Sequence, residues 1–357
     1  MRPLTSEDIM TLKPYVPGKP VEELERELGI TGSVKLASNE NPLGPSPKAV
    51  AAISSMLGGI HRYPDGAAHL LREAIGVKYG VPMDGVVLGN GSNELLEIAV
   101  RTFLLPGEEA VMADPSFAVY RLAVQAAGRG RVVVPLKDGR HDLDGMADMI
   151  NEMTKLVFIA NPNNPTGTIN TAAEMKRFME RVPSGVIVVV DEAYYEYVTD
   201  PDYPETLDYL DEGRNILILR TFSKAYGLAG LRIGYALAPT ELAGLMDRVR
   251  QPFNTNMLAQ AAALAALEDR GHVEESVRVN EDGKRYLYKE LDRLGVEYIP
   301  TQANFIYMDM HKDARELYDR LLRQGVIVRP MGPTQLRVTI GLGAENERFV
   351  RALEQIL

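Results

Sequence analysis

Between residues 86 and 238 the chain repeats one unit. A short, unbroken apolar run gives way to polar or glycine-rich residues, and a segment with helical periodicity follows. The runs are Val86-Val87-Leu88, Ala110-Val111-Met112-Ala113, Arg131-Val132-Val133-Val134, Leu156-Val157-Phe158-Ile159-Ala160, Val186–Val190, Ile216–Leu219 and Arg232–Ala238. A strand that is apolar on both faces needs cover on both faces, and helices supply it in parallel sheets. Helical patterns such as Met175–Arg181 and the stripe Leu95, Leu96, Ala99, Val100 and Phe103 lie between the runs. The expected fold is therefore α/β, a mostly parallel sheet with helices on both faces. Ligands of such sheets sit beyond the carboxyl ends of the strands.

Four of those ends carry chemistry. Val86-Val87-Leu88 leads into Gly89-Asn90-Gly91-Ser92-Asn93-Glu94. A glycine turn opening a helix points backbone N–H groups at an anion. Glu94 stands where a dinucleotide fingerprint needs its third glycine, so one phosphate is expected rather than a pyrophosphate. The run ending at Ala160 leads into Asn161-Pro162-Asn163-Asn164-Pro165-Thr166-Gly167, whose asparagines would equally serve as ordinary turn residues. Val186–Val190 ends in Asp191-Glu192-Ala193-Tyr194. A carboxylate closing five apolar residues is buried and needs a cationic or donor partner.

Ile216–Leu219 runs into Thr221-Phe222-Ser223-Lys224, and Arg232 follows the lysine by eight residues. Alone, this stretch also suits a strand followed by a solvated loop. Together with Asp191 and Gly91-Ser92 it suits pyridoxal phosphate. Lys224 would hold the aldehyde as an imine. Asp191 would bond to the protonated pyridine nitrogen and keep the ring cationic. Tyr194 and Asn164 would reach the ring hydroxyl, and Gly91, Ser92, Asn93, Thr221, Ser223 and Arg232 would take the phosphate. Phe117, in Asp114-Pro115-Ser116-Phe117, would stack on the ring or serve as a core aromatic.

Composition narrows the remaining classes. The chain of 357 residues has no cysteine, which removes disulfides and thiolate chemistry and fits a cytoplasmic setting. A net charge of −10 argues against a nucleic-acid partner. No apolar run approaches the ~20 residues of a membrane span, and Met1–Asp8 lacks the apolar core of a signal peptide. No metal site is expected.

The flanks read differently from the middle. Residues 1–40 form an arm, with Leu12–Pro20 barred from helix by its prolines and a short helix Val21–Leu28 stopped by Gly29. Residues 41–253 form the large domain. Residues 254–357 form a smaller α+β domain: a helix Met257–Arg270, a long helix Val273–Leu294, strands Val296–Ile299, Asn304–Met308, Val326–Arg329 and Leu336–Ile340, and helices Ala314–Gln324 and Glu345–Leu357.

The motifs Pro14-Tyr15-Val16-Pro17-Gly18-Lys19, Asn39-Glu40-Asn41-Pro42-Leu43-Gly44, Arg62-Tyr63-Pro64, Asn163-Asn164-Pro165-Thr166-Gly167, Asp191-Glu192-Ala193-Tyr194, Thr221-Phe222-Ser223-Lys224 and Gln302-Ala303-Asn304-Phe305 run through nearly the whole chain. On them the chain resembles the histidinol-phosphate aminotransferases, fold-type I pyridoxal-phosphate enzymes. The resemblance implies a homodimer in which Tyr63 reaches the phosphate of the other subunit's cofactor. It implies substrate contacts at Tyr15, Asn41, Arg329 and Arg337. Arg337 would take an α-carboxylate bidentately, and Arg329 a distal phosphate. It also implies transfer between histidinol phosphate and 2-oxoglutarate by a ping-pong route. Here only Gly332-Pro333-Thr334-Gln335-Leu336 separates Met331 from Arg337, where family members commonly carry a longer loop. Aromatic amino acid transamination and decarboxylation of a phosphorylated amino acid are the alternative activities.

Overall fold

The computed structural model describes residues 3–357. Its main sheet has seven strands: β1 (Val86–Gly89), β2 (Glu109–Asp114), β3 (Gly130–Pro135), β4 (Thr154–Ala160), β5 (Ile187–Asp191), β6 (Ile216–Thr221) and β7 (Gly234–Leu237). Their spatial order is β1-β7-β6-β5-β4-β2-β3. All pairings are parallel except those of β7, which runs antiparallel to both β1 and β6.

The unbroken apolar runs feed two cores. Val188, Val190, Ile216 and Ile218 pack on one face with Met175 and Phe178 of the helix Ala172–Arg181. Their neighbours Ile187, Val189, Leu217 and Leu219 pack on the other with Leu95, Leu96 and Ala99 of the helix Ser92–Phe103. Each such side chain contributes about 1.5–3 kcal/mol on burial. Because side chains alternate along a strand, Asp191 shares its face with Ile187 and Val189. Arg220 shares the opposite face with Ile216 and Ile218.

A second sheet of four antiparallel strands follows: β8 (Glu297–Ile299), β9 (Phe305–Asp309), β10 (Arg329–Pro330) and β11 (Gln335–Thr339), in the order β10-β11-β9-β8. It packs on the helices Arg270–Leu294 and Gly343–Ile356 through Leu287, Leu291, Phe349 and Leu353. Val34–Lys35 pairs in parallel with Val326–Ile327, which ties the start of the chain to this second unit.

Several sequence expectations shift. Arg232 lies outside β7, in a left-handed conformation (φ 57°) that ends a helical turn. The expected strand Val326–Arg329 divides between two sheets. The helix from Met257 stops at Leu267 rather than Arg270, and the long helix begins at Arg270. The arm carries an extra helical turn, Glu7–Thr11, capped by Ser6. Among the described residues no helix is long and apolar enough to cross a membrane.

Candidate active site

One cleft gathers the polar strand ends. Asp191 and Thr221 line it from the ends of β5 and β6, Ser223 and Lys224 from the turn after β6, and Ser92, Asn93 and Phe117 line it as well. Arg337, Arg329 and Tyr15 close it from the second unit and the arm.

Lys224 Nζ donates to the carbonyl of Ser38 at 3.2 Å and lies 5.6 Å from the centre of the Tyr194 ring. Burial pulls its pKa down from 10.5 to about 7, and the charge of Arg337 adds to the effect. A neutral amine at that pH is a nucleophile and a base. Asp191 moves the other way. Burial lifts its carboxyl from 3.8 to about 6, against two bonds that favour the anion. The Tyr120 hydroxyl donates to Oδ2 at 2.8 Å, and the Ala193 N–H to Oδ1 at 3.2 Å. Tyr194 Oη accepts from Asn39 Nδ2 at 2.9 Å, and burial raises its phenol to about 12.

The anion-binding end is built on backbone. Gly91, at φ 77°, caps the helix Ser92–Phe103, whose first residues Ser92 and Asn93 line the cleft. A Cβ at Gly91 would collide with the Arg232 guanidinium. Arg232 donates from Nη1 to Ser223 Oγ at 3.4 Å and to the Ala229 carbonyl at 3.2 Å. Glu94 folds back, its Oε2 accepting from the Asn90 N–H and from Asn254 Nδ2, both at 2.6 Å. It therefore braces the turn where a dinucleotide site would have glycine.

The short segment after Met331 forms a tight hairpin. β10 and β11 pair so that Arg329 lies directly across from Arg337. Arg337 donates from Nη1 to Asn164 Oδ1 and from Nη2 to the Ala37 carbonyl at 2.8 Å. Its Nε is buried without a partner. Arg329 donates to the Val16 carbonyl at 2.6 Å and lies over the Tyr15 ring, 5.4 Å from its centre.

The family model for aminotransferase class I and II matches residues 31–353. Histidinol-phosphate aminotransferase of Moorella thermoacetica is 51% identical over 99% of this chain and 93% of its own length. Histidinol-phosphate aminotransferase 2 of Pseudomonas fluorescens is also 51% identical, over 99% and 97%. The chain belongs to the histidinol-phosphate aminotransferase family. The crystal structure of the Sinorhizobium meliloti histidinol-phosphate aminotransferase in complex with pyridoxal-5'-phosphate superposes with a TM-score of 0.91. It is 30% identical and covers 99% of this chain and 97% of its own.

The residues of this aminotransferase fit that cofactor. A buried carboxylate, a depressed lysine, a glycine cradle against Arg232 and an unpartnered guanidinium nitrogen meet in one cleft. The buried Asp191 carboxylate and the unpartnered Arg337 Nε are each costly without a ligand partner. Phe117 lies on the side facing Tyr120, in edge contact with it at 5.6 Å.

Two candidates do not line the cleft. Asn41 Nδ2 donates to the Ala225 carbonyl (2.9 Å) and Ser276 Oγ (2.8 Å), and its Oδ1 accepts from the Leu43 N–H. Tyr63 is 81% exposed, stacked on Phe253 at 4.7 Å, and does not line this chain's own cleft.

Sequence reasoning passed over Asn39, Ser38 and Tyr120, which do line it. Asn39 sits at φ 54°, a conformation asparagine tolerates better than most residues. Tyr120 sits in the first turn of the helix Ala118–Ala126, which Phe117 precedes as its N-cap, and the two rings meet edge to face.

Proposed function

We propose that the chain transfers an amino group between histidinol phosphate and 2-oxoglutarate, giving imidazole acetol phosphate and glutamate, by a ping-pong route in histidine biosynthesis. The observation that carries this reading is the pairing of Arg329 with Arg337 across the hairpin. Like charges directly opposite on a sheet are destabilising unless anions bind between or beside them. One arginine suits the α-carboxylate of glutamate and the other the distal phosphate of the amine substrate.

Pyridoxal phosphate, when bound, supplies an electron sink for the pair released at the substrate carbon. The chain's residues do the rest. Lys224 anchors the cofactor. With the cofactor bound, its freed Nζ would serve as base and then acid, moving the proton from the substrate carbon to the cofactor carbon on the other side of the shared nitrogen. Asp191 accepts a hydrogen bond from the ring nitrogen and keeps it protonated. Tyr194 and Asn164 orient the ring hydroxyl, and Phe117 stacks on the ring. The first N–H groups of the helix Ser92–Phe103, from Gly91, Ser92 and Asn93, hold the phosphate with Thr221, Ser223 and Arg232. Tyr15 borders the distal end of the substrate beside Arg329.

The same reading makes the active species a homodimer in the cytoplasm, with Tyr63 completing the phosphate site of the second subunit. Its exposure and its distance from this chain's own cleft support that role. It divides the chain into an arm (1–40), a cofactor domain (41–253) and a small domain (254–357).

The test is a kinetic comparison of histidinol phosphate, phenylalanine and threonine phosphate as substrates of the pure holoenzyme. Histidinol phosphate should have the highest kcat/KM by at least about tenfold, the worth of one anion contact. A preference for phenylalanine would assign the enzyme to aromatic transamination. Carbon dioxide release from threonine phosphate would assign it to decarboxylation. Arg329→Ala should raise KM for histidinol phosphate and leave glutamate nearly unaffected.

A further inference from the structure

We propose that Tyr120 is a positioning residue for this reaction, its hydroxyl holding the Asp191 carboxylate as an anion so that the proton between Asp191 and the cofactor ring stays on the ring nitrogen. The proposal rests on the aminotransferase reading above.

Asp191 is nearly inaccessible, and such a carboxylate drifts toward the neutral acid. A neutral acid cannot sustain a ring cation. Two donors oppose that drift in the chain itself, the Ala193 N–H on Oδ1 and the Tyr120 O–H on Oδ2. Tyr120 is the larger of the two in effect. Of the charged groups around Asp191, Lys224 favours the anion and Glu192 opposes it. Tyr194 faces the same space as a neutral phenol. Glu192 is itself neutralised by Arg220.

Tyr120 is built to stay put. It is 1% exposed, its ring stacks on Phe158 at 5.1 Å and 9°, and Phe117 meets its edge. Burial and the adjacent Asp191 push its phenol far above 10, so it remains a donor throughout the working range. The helix Ala118–Ala126 carries it, so the segment that brings Phe117 to the cleft also sets the hydroxyl on Asp191. Without the hydroxyl the carboxylate becomes more basic. The shared proton moves from nitrogen to oxygen, and the ring loses its positive charge.

The test uses the holoenzyme of Tyr120→Phe, which deletes one oxygen and keeps the packing. A less cationic ring makes the lysine-linked chromophore more basic, so the pH midpoint of its visible absorbance should rise by about half to one unit. The kcat for glutamate should fall roughly tenfold, with KM changed by less than about twofold. Site-specific 3-fluorotyrosine at position 120, a stronger donor in an intact ring, should move the midpoint the other way. It keeps the test open if Tyr120→Phe fails to fold. A purely structural role would lower thermal stability without moving the midpoint, and that result overturns the proposal. An unchanged midpoint and kcat in Tyr120→Phe overturn it too, while leaving the aminotransferase reading intact. If the wild-type holoenzyme shows no visible absorbance that Lys224→Ala abolishes, the aminotransferase reading fails and the proposal falls with it.

Discussion

Glu192 and Arg220 form an ion pair inside the protein, one residue beyond Asp191 on β5 and one before Thr221 on β6. Glu192 Oε2 lies 2.7 Å from Nη2 and 2.8 Å from Nε of Arg220, and both side chains are wholly buried. The guanidinium sits between the rings of Tyr195, at 3.5 Å, and Tyr79, at 4.7 Å. Thr206 and Tyr203 donate to the second carboxylate oxygen at 2.7 and 3.2 Å. The pair thus bridges the strand that ends in Asp191 and the strand that leads to Lys224.

A buried pair that loses one partner leaves a desolvated charge. Arg220→Met should cost about 3–5 kcal/mol of unfolding free energy in denaturant melts. The double variant Glu192→Met/Arg220→Met should recover at least half of that loss. Simple additivity of the two single losses would show that the pair is not coupled.

The depressed lysine has a kinetic signature in the cofactor-free chain. Only the neutral amine attacks the aldehyde, and burial lowers the Lys224 pKa from 10.5 to about 7. The rate of capture, followed by visible absorbance after mixing with pyridoxal phosphate, should therefore rise with pH through a midpoint near 7. The linkage has the same sign. The unfolded chain binds the lysine proton up to pH 10.5 and the folded chain releases it near 7, so stability rises with pH across that window. Lys224→Met should abolish both effects. A capture midpoint near 10 would contradict the burial account.

Asp191→Asn keeps the shape of the site and removes the charge proposed to face the ring nitrogen. Cofactor should remain bound, while kcat falls by about 10²–10³, the scale of losing one preorganised electrostatic contact. Near-normal turnover would refute the electron-sink role.

Gly91→Ala tests the cradle. The position has φ 77° and ψ 165°, a region essentially reserved for glycine, which costs a residue with a Cβ about 1–3 kcal/mol. The added methyl also meets the Arg232 guanidinium and must displace it. Cofactor affinity, measured by equilibrium dialysis, should drop at least about tenfold, comparable to Arg232→Ala. A variant that binds cofactor normally would exclude Arg232 from the phosphate site.

What was legible and what was not divides along the range of the contacts. Lys224, Asp191 and the Gly91-Ser92 turn could be read directly, since each closes an apolar run whose length announces a buried strand. Asn41 and Asn39 stand in the same polar loop, and only the fold separates an amide bonded to Ala225 and Ser276 from one that reaches Tyr194. Arg232 was drawn into a strand by the apolar residues after it, although its backbone turns left-handed to aim the side chain.

Local pattern by itself determined the α/β class and the polar strand ends that line the cleft, because burial on both faces and turn chemistry are written within a few neighbouring positions. Tertiary structure alone decided which of these residues meet. The order β1-β7-β6-β5-β4-β2-β3 brings strands distant in sequence side by side. The hairpin of β10 and β11 sets Arg329 against Arg337. Tyr120 finds Asp191 at a sequence separation of 71, and Asn39 finds Thr339 at a separation of 300. Such pairings depend on how sheets and helices pack as wholes, and no short-range propensity encodes them.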